Sequence, residues 1–568
     1  FGIGCAPEPR KGDRDPTATG RPAPPSAKAV PAFLRSPDLL VAEQIRIRIE
    51  DAGVVAELKA GGEPVYASEA LPGFYERRLY LPGWSNKRGP TRRVDELIGV
   101  LRGADLEGLR TEDYHFAAIE SLLVAVRTDI RSAGVIIPDR WAELDLLLTD
   151  AFLVYGSHLL AGRVNPETLS PEWVANRRGA DLTFVLEKAL KSGDIAGALA
   201  ELAPPQRGFR RLREALAYHR AVADRGGWSM IPGGPGLKRG DHGPAVAALR
   251  ERLRLGGDFG DLEWDDIELF DEELERILKG FQKRHGLTAT GVMDAATLAE
   301  LNVSVEDRIH RLELNLERWR WLPQDLGKRH IIVNIAAFEL QVEEKEETVL
   351  SMRVVVGRPY HSTPVFSDTM RYLVINPYWN VPRNIAVREV IPHILRDSAY
   401  LTKEKTKVFK GWGPEALEID PATVDWTAVD TTYFPYRLRQ DSGPVNALGR
   451  IKFMFLNKYN VYLHDTPARR LFERDRRDFS HGCIRIQQPF ELALYLLKKN
   501  SRWNREALLR ELGESEEHSV PLPEPIPVHL LYWTAWADAD GTIQFRRDIY
   551  NRDLPLLKAL RTPPSAKG

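Results

Sequence analysis

The chain has 568 residues, 43% of them apolar, and 79 basic against 80 acidic side chains give a net charge of −1. At about 150 residues per domain this allows three or four cores, and it excludes a chain driven by bulk charge onto nucleic acid or an anionic membrane. Two cysteines far apart, Cys5 and Cys483, exclude a disulfide framework and a clustered zinc site; without H-E-x-x-H, C-x-x-C or P-loop patterns, or an unbroken apolar run of about 20 residues, no metal, cofactor or membrane span is implied.

In chain order, 1–31 is a Pro/Ala/Lys-rich run that cannot build a core and reads as a disordered tether or leader remnant. The start at Phe1 suggests a leader cut off or omitted. Ile3-Gly4-Cys5 resembles the end of a bacterial lipoprotein signal, in which Cys5 would be lipidated as a peripheral membrane anchor, although Gly2 stands where leucine is usual. A cleaved secretory leader with an incidental cysteine is the other reading.

Residues 32–230 read as a helical scaffold domain: Leu144, Leu147, Leu148, Ala151, Phe152 and Tyr155 recur at three- and four-residue spacing, as do Leu182, Val185, Leu186, Ala189 and Leu190. His115 in this segment reads as structural. Gly/Pro punctuation at Ile231–Gly236 ends it. Residues 236–303 carry three helix patterns with G-D-H-G at 240–243, F-Q at 281–282 and G-V-M-D-A-A-T at 291–297, and Asp294 is placed to cap the third helix. This segment resembles the three-helix peptidoglycan-binding domain, interrupted by an acidic stretch at Asp258–Glu273. Residues 304–329 read as an amphipathic connecting helix.

From 330 to 510 the pattern turns to strands, giving a mostly β domain within a multidomain α+β chain. Residues 381–449, with Trp412, Trp426 and weak periodicity, read as a lid-like insertion. Residues 511–568 read as a Pro-rich connector and a C-terminal hairpin around Asp540-Gly541.

The chemistry concentrates at N-V-Y-L-H-D-T-P (460–467) and S-H-G-C-I-R-I (480–486), where fifteen residues separate His464 from Ser480. A thiol attacks only as thiolate, so a nucleophilic Cys483 needs a nearby base, and His464 supplies one if the two strand-like segments lie side by side. Gly482 removes a side chain, so the N–H groups of Gly482 and Cys483 could hold a developing oxyanion, with Ser480 and His481 shaping the loop. A buried, inert thiol is the alternative, though two histidines, a glycine and a serine are poor material for an inert core.

A histidine followed about fifteen residues later by [S/T]-H-G-C and an aliphatic residue resembles the signature of the YkuD-type L,D-transpeptidases. Arg485, N-P-Y-W-N-V-P at 376–382, G-P-V-N-A-L-G-R at 443–450 and G-L-R-T-E-D-Y-H at 108–115 resemble the large YcbB-like Gram-negative subgroup, which carries a peptidoglycan-binding domain. The resemblance implies a β-sandwich catalytic domain, a periplasmic location and a cysteine acyl-enzyme that joins peptidoglycan stem peptides in 3–3 cross-links. It further implies no cofactor, capture by carbapenems, and a role in cell-wall biogenesis and cell shape. Cys483 would be the nucleophile and His464 the two-way proton carrier, with a pKa near neutrality. Arg485 would orient a substrate carboxylate or pair with an acidic neighbour, and Trp379, Asn380 and Asn446 would line the cleft. An L,D-carboxypeptidase, a lipoprotein-anchoring transpeptidase and a non-catalytic peptidoglycan-binding scaffold are the rival readings.

Overall fold

Leu144, Leu147, Leu148, Ala151 and Phe152 fall on one helix, Pro138–Ala161, and all are buried. In this computed structural model, which describes residues 36–55, 58–174, 177–258, 264–411, 413 and 415–564, that helix is the axis of the N-terminal domain. The tether and Cys5 lie outside the described residues. By length and composition the helix could cross a membrane, but 89% of its apolar window is buried inside the fold. Its two buried carboxylates are satisfied locally. Asp145 accepts from Gly83 N–H, Trp84 N–H and the Tyr75 hydroxyl, and Asp150 accepts from Tyr66 and Ala67 N–H and meets His115 Nε2 at 2.7 Å. His115 also meets Glu63, so it is a strut between two acids.

Three helices, Pro244–Leu255, Glu272–Arg284 and Ala295–Leu301, enclose a small core of Val246, Leu249, Leu278 and Phe281. Asp294 caps the third helix by accepting from Thr297 N–H at 2.7 Å.

The segment read as a connecting helix, Val305–Arg320, is an interior element. Arg308, Glu313, Asn315, Glu317, Arg318 and Arg320 are all buried on it. Their partners come from the helical domain, the three-helix domain and the C-terminal segment: Glu300 for Arg308, Arg220 for Glu313, Val164 N–H for Glu317, and Asp553 for Arg318 at 2.6 Å. The polar face of this amphipathic helix therefore meets other domains.

The β domain is built from β1 (Arg329–Asn334), β2 (Glu339–Glu344), β3 (Glu347–Gly357) and β4 (Phe366–Ile375). The 381–449 region and its approach add β5 (Trp379–Asn380), β6 (Thr406–Lys410), β7 (Leu417–Ile419) and β8 (Tyr436–Gln440). Next come β9 (Ile451–Phe455), β10 (Leu463–His464), β11 (Asp478–Ser480), β12 (Ile484–Ile486) and β13 (His518–Leu531). The main sheet runs β11-β3-β12-β10-β9-β4-β13-β1-β2, and β2 also pairs with β3, so the sheet curls closed around Val354, Leu373, Phe453, Leu463, Ile484 and Val528. Strands β7-β6-β8-β5 form a separate sheet over a core of their own, including Val381, Val390, Val408 and Leu438. The insertion is therefore a small subdomain, and it begins at Trp379.

The reading of 511–568 as connector plus hairpin is corrected. His518–Leu531 is a central strand, antiparallel to β4 and parallel to β1. Val520, Leu522, Ile526, Val528 and Leu530 are buried, while Pro521, Pro523, Pro525 and Pro527 alternate with that buried set. Partners on β1 begin only at Val528, so the proline half is paired on one side, and a bulge lies between Pro521 and Ile526; the missing N–H groups break no ladder on the open side. A hairpin does follow, β14 (Ala535–Ala537) with β15 (Ile543–Phe545).

A chain ended at Gly513 should accordingly fail to fold its β domain, and Ile526→Ala should cost about 2–5 kcal/mol as a buried truncation. Thermal unfolding and near-UV dichroism check this; a cooperative, native-like melt of the shortened chain would contradict the central placement of β13.

Candidate active site

The two candidate segments form a parallel pair, with Leu463 opposite Ile484 and His464 opposite Arg485. Alternation then sorts the side chains by parity. Leu463, Ile484 and Ile486 enter the core, so Tyr462, His464, Cys483 and Arg485 share the other face. The same row continues through Lys452 on β9, opposite His464, and ends at Val355 on β3, opposite Arg485. Cys483 and His464 are diagonal neighbours on this face.

Cys483 is half-buried. Its Sγ lies 3.8 Å from the Asn460 carbonyl, and the Tyr462 N–H and hydroxyl both reach it. Burial pushes the thiol pKa up, and the two Tyr462 donors, Lys452 and Arg485 pull the other way without overcoming it. His464 is 4% exposed, and its Nδ1 meets the Asp465 carbonyl at 2.5 Å. A carbonyl only accepts, so Nδ1 carries the proton and Nε2 presents the lone pair. Burial, then the Arg485 charge, lowers its pKa to about 3, which corrects the expectation of a near-neutral value. The resting pair is a neutral thiol beside a neutral imidazole.

The turn holding Cys483 is pinned on both sides. The Ser480 hydroxyl donates to the Cys483 carbonyl at 2.5 Å and accepts from Gly482 N–H at 3.1 Å. This corrects the assignment of Gly482 as an oxyanion donor: its N–H is already taken. Cys483 N–H has no acceptor among the described residues and remains available. Gly482 sits at φ +110°, a conformation that side chains resist, so glycine is required there by the backbone. Thr363 accepts from Gly357 N–H and donates to the Gly482 carbonyl at 2.8 Å; Tyr550 donates to the Gly357 carbonyl at 2.6 Å. A Cβ on Gly357 would lie 2.0 Å from the His361 carbonyl oxygen.

His481 meets Glu389 of the insertion at 2.5 Å, which ties that subdomain to the nucleophile turn. Arg485 forms no ion pair among the described residues and its buried Nε has no partner, while Glu389 is the acid near enough to favour its charge. Of the three expected cleft residues, Asn446 is not free to line a cleft. Asn446 is fully buried and its amide holds the Pro377 and Asp441 carbonyls, so it is a strut at the insertion's base. Trp379 and Asn380 pair with Gln440 and Arg439 in the insertion sheet, Trp379 against its core and Asn380 exposed. Tyr462 was missed, although its spacing from His464 puts it on the same face. Thr363 and Tyr550 come from distant segments and carry no local signal.

Residues 328–502 match the L,D-transpeptidase catalytic domain of the YkuD family. Residues 242–301 match a family provisionally described as a peptidoglycan binding domain, and 69–216 match a scaffold domain. A Haemophilus influenzae protein provisionally named an L,D-transpeptidase is 35% identical over 243 residues, 43% of this chain and 48% of that protein; the chain thus spans about half the length of the curated relative it matches. Among solved structures, an L,D-transpeptidase from Stackebrandtia nassauensis aligns at 15% identity over 55% of this chain and 100% of that one, with a TM-score of 0.22. One from Mycobacterium smegmatis aligns at 15% identity over 36% and 58%, with a TM-score of 0.18.

Because the thiol of Cys483 is held above its ordinary pKa, its alkylation by iodoacetamide should still be accelerating at pH 9. Tyr462→Phe, which removes one donor to the thiolate, should slow labelling at pH 8 about threefold. A rate that levels off below pH 7 would show a resting thiolate instead.

Proposed function

We infer that the chain is a peptidoglycan L,D-transpeptidase. The observation that carries this is the polar row Tyr462–His464–Cys483–Arg485 on one face of a domain that matches the YkuD catalytic family. In the proposed cycle, Cys483 Sγ attacks the carbonyl of the third, diamino-acid residue of a donor tetrapeptide as His464 Nε2 takes the thiol proton. A neutral histidine of low pKa is a weak base, so transfer accompanies attack instead of preceding it. Cys483 N–H would hold the oxyanion, an interaction worth about 3 kcal/mol in acyl-transfer sites. Collapse returns the proton from His464 to the departing D-alanine amine and leaves a thioester. The side-chain amine of an acceptor stem attacks that thioester, passes its proton through His464 to sulfur, and gives the 3–3 cross-link.

Arg485 and Lys452, neither in a direct ion pair among the described residues, suit the stem's carboxylates. The substrate places the work in the periplasm, in cell-wall biogenesis and cell shape. Lipidation at Cys5 would add a membrane anchor. Carbapenems, which present a strained carbonyl to the same thiol, would form a covalent adduct. Transfer to water or to a lipoprotein lysine uses the same acyl-enzyme and is separated only by product.

Mass spectrometry after incubation with disaccharide-tetrapeptides is expected to show a 3–3 dimer with wild type and none with Cys483→Ala, and His464→Ala should slow the reaction by about 10²–10⁴-fold. Tripeptide without dimer would indicate the carboxypeptidase, and unchanged muropeptides would leave a binding scaffold.

A further inference from the structure

A groove of about 960 Å³ runs between the three-helix domain and the edge of the β domain. One wall is the Lys283–Thr288 turn, and the others come from Arg353, Arg477 and the C-terminal segment at Arg546 and Arg547. The parts are clasped: Thr288 donates to Asp475 at 2.5 Å, Arg546 donates to the Arg284 carbonyl at 2.8 Å, and a Cβ on Gly286 would meet Arg546 Cδ at 2.7 Å.

The charges in the groove are unequally occupied. Its acids are engaged by neutral donors: Asp294 caps a helix, Glu339 accepts from Ser351, Asp475 from Thr288, and Asp548 from Tyr532. Of its cations, only Arg476 forms an ion pair, with Asp478. Lys283, Arg353, Arg477, Arg546 and Arg547 form no ion pair among the described residues; Arg353, Arg477 and Arg546 donate to main-chain carbonyls, whereas the Lys283 and Arg547 side chains are exposed and donate to no protein acceptor among the described residues. Exposed cations without ion-pair partners, beside carboxylates already engaged by neutral donors, can take up carboxylates of a ligand. The groove also borders the catalytic turn: Pro359 lines it, the preceding Arg358 N–H donates to the Ser480 carbonyl, and Arg477 adjoins β11, which leads into Cys483.

We propose that this groove is a second, non-catalytic site that holds the carboxylate-bearing peptide stems of a peptidoglycan strand beside the nucleophile; the choice of peptidoglycan rests on the transpeptidase reading. One wall is the segment matching the peptidoglycan-binding family, and the cations come mainly from the β domain and C-terminal segment, so the site exists only where the parts meet.

The test is co-sedimentation of the full chain with purified sacculi, comparing wild type with Lys283→Glu/Arg547→Glu, whose side chains are exposed and outside the catalytic machinery. The double variant is expected to bind about tenfold more weakly, wild type to lose as much on sacculi whose stem carboxylates are amidated, and iodoacetamide labelling of Cys483 to stay unchanged. Equal retention by wild type and variant, or equal retention on amidated sacculi, would overturn the site, as would equal affinity for DNA. Muropeptide analysis of the same preparations separates the two readings: charge-dependent retention without 3–3 dimers would uphold the groove while removing the transpeptidase.

Discussion

The site depends on a parallel pairing only a few residues long, Leu463–His464 against Ile484–Ile486. With a side-chain period of two, a slip of one residue would send Cys483 and His464 into the core and Leu463 and Ile484 out to the cleft. The register is held by the buried aliphatic set and by the Ile484 N–H bond to the Tyr462 carbonyl at 3.1 Å. Beyond the strand, the turn is held by hydroxyls: Ser480 within it, Thr363 behind it and Tyr550 behind Thr363. The nucleophile is thus placed by a rigid sheet and aimed by a chain of hydrogen bonds that ends outside the matched catalytic segment.

The Val305–Arg320 helix performs the equivalent task between domains. Burying this many charges costs several kcal/mol per ion unless each is paired, and most are paired with a different part of the chain. Glu317 and Arg320, both fully buried, illustrate the point: the pair closes at 3.2 Å, Glu317 also takes Val164 N–H, and Arg320 also reaches the Glu107 carbonyl. Apolar packing tolerates sliding, whereas a missed partner here leaves a buried charge unsatisfied. That requirement fixes how the helical domain, the three-helix domain and the C-terminal segment meet, and the groove is walled by the last two of these together with the β domain.

Burial also sets the chemistry of the pair. Desolvation raises the Cys483 thiol and lowers His464, so in the proposed cycle proton transfer waits for the substrate carbonyl. Tyr462, Lys452 and Arg485 offset part of the thiol's rise, and the two unpaired cations leave charge for a ligand to neutralise.

The local parts of this design were legible in the chain. Cys483, His464, Ser480 and Gly482 stand out because their chemistry and spacing are contiguous, and period-two alternation assigns Leu463 and Ile484 to the core without knowledge of partners. Tyr462 follows from the same parity. Other features are properties of contact. Asn446 resembles a cleft residue in its motif, yet only the folded chain shows its amide consumed by main-chain carbonyls. Four alternating prolines read as a linker, because a sequence does not reveal that one side of their strand is open. The low pKa of His464 and the occupied N–H of Gly482 depend on what surrounds them. The sequence by itself determined which residues could do the chemistry and which face of each strand they share, because alternation is a backbone property. Only the tertiary structure decided which groups are dry, paired or left open, because desolvation and hydrogen bonding are set by neighbours far along the chain.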